Sequence, residues 1–71
     1  MKGMNYRTQK EYIENCINEI KSIDDKAIMF GRLYSLENEL NATARQYGGY
    51  YMGVAKACQE GIAIARQLQG I

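Results

Sequence analysis

Three tyrosines, Tyr47, Tyr50 and Tyr51, flank the pair Gly48-Gly49, with Arg45 just before them and Lys56 a turn and a half after. The chain holds three more, Tyr6, Tyr12 and Tyr34, against one phenylalanine, no tryptophan and no histidine. Tyrosine joins a large apolar ring to a polar tip, and a nearby cation adds a charged handle. Such a set can close a helical-hairpin end with its hydroxyls in water, meet another protein surface, or stack on a nucleobase while a cation holds phosphate. The residues leave all three readings open, with Tyr50, Tyr51 and Lys56 as the candidate contacts. None of them is bond-breaking chemistry.

The other side chains point the same way. Without histidine, the commonest general base and metal ligand is missing. Glu11, Glu14, Glu19, Glu37 and Glu39 stand at the spacings of solvated helix faces, and Glu37 and Glu39 point apart on a helix. Cys16 and Cys58 are too few for a zinc site. Both sit among aliphatic neighbours and read as small buried thiols, with an interhelix disulfide as the other reading. No glycine-rich phosphate loop follows a strand. A non-catalytic binding protein is expected, with no catalytic residue, metal or cofactor.

Nine Lys and Arg against eight Asp and Glu leave a net charge of +1 without a dense basic stripe. Duplex nucleic acid is therefore not an expected partner. No run approaches the roughly 20 apolar residues of a membrane span. No apolar leader segment follows Met1, and a cytoplasmic protein is expected.

The elements that position these groups are legible in the periodicity. Residues 1–7 lack an apolar repeat and are expected to form a flexible arm. Thr8 with Glu11 makes a capping-box pair, and Tyr12, Ile13, Cys16, Ile17 and Ile20 recur at three and four, predicting a helix over 8–22. Ser22, Asp24 and Asp25 offer N-cap chemistry to a second helix over 25–47, along which Met29, Leu33, Leu36, Leu40 and Tyr47 keep heptad spacing. Ile28, Phe30, Tyr34 and Ala44 widen that apolar face. Gly48-Gly49 suits a left-handed helix end and a tight reversal. A third helix is expected over 50–69, antiparallel to the second. The fold class is all-α: a short N-terminal helix plus a long antiparallel helical hairpin, one domain over 1–71.

Gly49, Gly53, Ala57, Gly61 and Ala65 recur every fourth residue, a ladder of minimal side chains. A glycine inside a helix costs about 1 kcal/mol relative to alanine, so close approach by a neighbour must offset it. The expected packing set is Gly31, Gly53, Ala57, Gly61 and Ala65, with Gly31 and Ser35 facing Ala65 and Gly61 across the hairpin. The other reading is a bare groove filled by a subunit or ligand. A four-residue step overshoots a turn by about 40°, so the ladder winds and needs two neighbours. Chains below about 70–80 residues rarely bury a sufficient core, and a homo-oligomer is expected.

Over residues 54–66, Val-Ala-Lys-Ala-Cys-Gln-Glu-Gly-Ile-Ala-Ile-Ala-Arg, a polar pair, a small residue, an apolar run and a late cation succeed one another. With the short-helix-plus-hairpin layout, this resembles the small phage-encoded sponges that sequester cyclic nucleotide signals of anti-phage defence, of the anti-CBASS type. Ala63 and Ile64 stand where that family usually carries an aromatic and a methionine. The resemblance implies a compact homo-oligomer in the cytoplasm of a bacterial or phage-infected host cell, holding a cyclic nucleotide between protomers without cleaving it. It implies ligand sites built from a tyrosine, a lysine and an arginine at subunit junctions, parts that Tyr12, Lys26 and Arg66 take here. The residues leave a second function open, a protein–protein inhibitor or adaptor docking through a helix face or the tyrosine-rich hairpin end.

Overall fold

The computed structural model describes residues 4–70. These form α1 (Tyr6–Lys21), α2 (Lys26–Tyr47) and α3 (Val54–Gln69), with no strand among the described residues. α2 and α3 make the most extensive contact, and α1 lies more on α3 than on α2.

α1 begins two residues before its expected start because Asn5, not Thr8, caps it. The Asn5 side chain accepts from the Thr8 backbone N–H at 3.0 Å, and the Thr8 hydroxyl accepts from the Asn5 backbone N–H at 3.1 Å. This reciprocal box replaces the expected Thr8–Glu11 pairing. Glu11 instead faces Arg7 one turn back, at 3.6 Å in open solvent. Residues 4–7 are thus part of the fold, with Met4 and Tyr6 packed against the core. The remainder of the expected arm, residues 1–3, lies outside the described residues. α2 opens as expected, the Asp25 carboxylate accepting from the N–H groups of Ala27 and Ile28 at 2.9 and 3.2 Å.

The hairpin reverses later than the double glycine suggests. Gly48 keeps a right-handed backbone, φ −63°, and donates to the Ala44 carbonyl like any helical residue. The left-handed residue is Gly53, φ +83°, so α3 starts at Val54 rather than at residue 50. Gly53 is therefore the cap of α3 and not an interior rung of the ladder. A Cβ there would lie 2.5 Å from the Cβ of Tyr6, so φ and close approach both demand glycine.

The core draws Ile13, Ile17 and Ile20 from α1, Leu33, Leu36 and Leu40 from α2, and Val54, Ala57, Cys58 and Ala65 from α3. Met29 and Tyr47 extend the α2 seam as partly buried residues. The three helices converge at Gly61. A Cβ on it would stand 2.7 Å from Ile13 Cγ2 and 2.9 Å from Leu40 Cδ1. The two neighbours that the winding ladder requires are thus both present within the chain.

Gly31 and Ser35 do not face that ladder. Nothing lies within 4 Å of a Cβ placed on Gly31, and Ser35 is exposed. Each stands two residues from Leu33, which turns it about 200° away from the buried seam. Gly31→Ala is therefore expected to stabilise the fold by about 1 kcal/mol through helix propensity. Gly61→Ala is expected to destabilise it by about 1–3 kcal/mol, because the overpacking outweighs the propensity gain. Urea denaturation of the two variants should show shifts of opposite sign.

Candidate binding surface

Tyr12, Lys26 and Arg66 lie on three different helices, and one copy does not bring them together. The Tyr12 hydroxyl donates to Glu39 Oε1 at 2.7 Å across the α1–α2 contact. Arg66 Nε sits 3.5 Å from Glu37 Oε1 across the α2–α3 contact. Glu37 and Glu39 therefore do point apart, each serving one neighbouring helix. Lys26 is exposed at the first turn of α2, thirteen positions before Glu39. That places it about 20 Å from the Tyr12 contact along the helix.

The tyrosines of the turn separate as well. Tyr51 leans on Tyr47, ring centres 6.0 Å apart and tilted by 54°. Tyr50 is 85% exposed and Met52, two residues on, 91%. Lys56 does not join them. Its ammonium sits 5.5 Å from the ring centre of Tyr6.

Tyr6 is the centre of a cluster that the sequence reading missed. Lys10 lies 5.4 Å from the ring centre. The Tyr6 hydroxyl donates to Glu60 at 2.6 Å and accepts from the Lys10 ammonium at 3.3 Å. That hydrogen bond, with the negative charge of Glu60 nearby, raises the Lys10 pKa. Its sequence signal is two pairs four apart, Tyr6 with Lys10 and Lys56 with Glu60, the first of which begins inside the expected arm. Beside it, the buried amide of Gln9 donates to Cys58 Sγ at 3.7 Å. Burial pushes the Cys58 thiol up, so it remains protonated and unreactive. Both cysteines are free, Cys58 buried and Cys16 half-buried, and no interhelix disulfide forms.

Two grooves flank α1. Between α1 and α3, a volume of about 360 Å³ has Ile13, Gly61 and Ile64 in its walls, with Lys10, Glu14 and Glu60 at the rim. Between α1 and α2, a volume of about 230 Å³ is lined by Cys16 and Ile20 among Glu19, Glu39 and Arg32. Each carries two carboxylates against one cation, so neither draws a free phosphate by charge alone.

Set beside protein-family models, curated proteins and solved structures, the chain matches none. Among the described residues, no group of three or more Cys, Asp or Glu is placed to hold a metal ion. No helix among them is long and apolar enough to cross a membrane.

What the surface offers is aromatic and apolar contact. Ile28, Phe30 and Tyr34 stand out along α2, Tyr50 and Met52 at the turn, and Ile64 on α3. Tyr12 adds a held proton, because donation to Glu39 raises its pKa well above the usual tyrosine value, with the Cys16 thiol reinforcing the effect. A raised folded-state pKa stabilises below the unfolded value and is lost as pH climbs through the folded one. The fold should therefore weaken as pH rises above about 10. Denaturation midpoints of the wild type and Tyr12→Phe should converge over that range, the variant being less sensitive to alkali.

Proposed function

We propose that this chain is a non-catalytic binding protein that works as a homo-oligomer and sequesters a nucleotide-type signalling ligand where copies meet, in phage counter-defence. The observation that carries the reading is the placement of Tyr12, Lys26 and Arg66. All three are exposed, on three different helices, and Lys26 stands about 20 Å along α2 from the contact that Tyr12 makes with Glu39. A site built from them is complete only when copies adjoin. Arg66 has its Nε 3.5 Å from Glu37 and its side chain 55% exposed, and a guanidinium can take a phosphate through two parallel hydrogen bonds. The Tyr12 ring, 45% exposed, presents a face for a base.

A second reading, an inhibitor or adaptor docking a protein partner through the hairpin end, is favoured by the exposure of Tyr50 and Met52.

A thermal-shift panel of cyclic di- and trinucleotides tests the ligand reading. A ligand at one hundred times its Kd adds about 2.7 kcal/mol, a rise of roughly 10 °C or more for a chain this small. Arg66→Ala and Lys26→Ala should each abolish most of that rise. A flat response across the panel leaves the docking reading in its place.

A further inference from the structure

We infer that the groove between α1 and α3 binds a small primary amine carried on an apolar chain or ring. The two helices run parallel along it, with Gln9 beside Cys58 and Ile13 beside Gly61. Gly61 brings no side chain, so the α3 backbone itself forms part of the wall, and Ile13 and Ile64 add apolar surface. Ile64 remains 41% exposed, so part of that surface still faces water. The volume of about 360 Å³ lies at the small end of the range of ligand pockets, about 300–1,000 Å³. That is room for a small molecule.

The charges at the rim select which one. Lys10 and Glu14 stand four apart on α1, the spacing at which a helix pairs opposite charges. Here Lys10 is drawn away. Its ammonium donates to the Tyr6 hydroxyl at 3.3 Å and lies 5.4 Å from the ring centre. Tyr6 in turn donates to Glu60 at 2.6 Å, so one hydroxyl joins Lys10 to Glu60. Glu14 keeps no hydrogen bond or ion pair among the described residues.

The rim thus carries one matched pair and one unmatched carboxylate beside apolar walls. Its complement is a single positive charge on an apolar body, and a primary ammonium supplies that charge with three donors. An anion would meet two carboxylates, and an uncharged apolar molecule would leave Glu14 unmatched. The groove is complete within one copy, so this site does not depend on the homo-oligomer of the proposed function.

Titration of the isotope-labelled full chain with phenethylamine at neutral pH, followed by amide NMR, tests the site. Saturating shifts should centre on Ile13, Gly61 and Ile64, with a dissociation constant on the order of 1 mM. Phenethyl alcohol, of the same shape without the charge, should bind more weakly, and hydrocinnamate should not bind. Glu14→Gln should weaken the amine by about two- to fivefold and leave the alcohol unchanged. Ile64→Ala should weaken amine and alcohol together. Both positions are exposed, and the helical circular-dichroism signal should match the wild type. If the amine leaves the groove amides unmoved, or its shifts scatter over the whole surface, the site is overturned. If amine and alcohol bind alike, or Glu14→Gln holds the amine as tightly as the wild type, recognition of the ammonium by Glu14 is overturned.

Discussion

At Gly61 the backbone of α3 comes within contact distance of Ile13 on α1 and Leu40 on α2, and the packing of the three helices depends on that approach. A helix whose side chains stand off its neighbours by an extra methyl group would hold both of them further out. Ile17, Ile20, Leu33 and Leu36 would then lose the close contact that gives burial its value. Ala57 and Ala65, one turn to either side, keep the same channel narrow. The propensity lost at one helical glycine is offset by contact shared among all three helices.

Two kinds of polar contact surround this apolar centre. On one side Tyr6 ties the first turn of α1 to Glu60 of α3, with Lys10 and Lys56 gathered at its ring. On the other, α2 reaches both neighbours through carboxylates two residues apart, Glu39 to Tyr12 and Glu37 to Arg66. Exposed contacts of this kind add little stability singly. Their consequence is positional. They hold Tyr12 and Arg66 on opposite flanks of α2.

The exposed surface follows from the same economy of length. Once α2 has turned its leucines inward, no fourth helix is left among the described residues to cover Phe30, Tyr34 or Ile28. The aromatic character noticed in the sequence is thus distributed over several places. Tyr6 and Tyr47 pack against the core, Tyr12 is tied to Glu39, and Tyr34 and Tyr50 remain outward.

The helices themselves were legible from periodicity alone, since an apolar repeat of three and four dictates which stripe must leave water whatever it packs against. That is why Leu33, Leu36 and Leu40 stand out as a seam, while Ser22, Asp24 and Asp25 are equal cap candidates until the fold selects Asp25. The opposed directions of Glu37 and Glu39 follow from helical geometry in the same way. What only the tertiary structure decided was which helix each surface meets. Gly31 and Gly61 are equally small in the sequence, yet one faces empty space and the other faces Ile13 and Leu40. The left-handed residue of the turn is Gly53 rather than Gly48 or Gly49, and there Tyr6, forty-seven positions earlier, leaves no room for a side chain. Contacts of that separation have no local signature, and they are set by how three helices of unequal length close on one another.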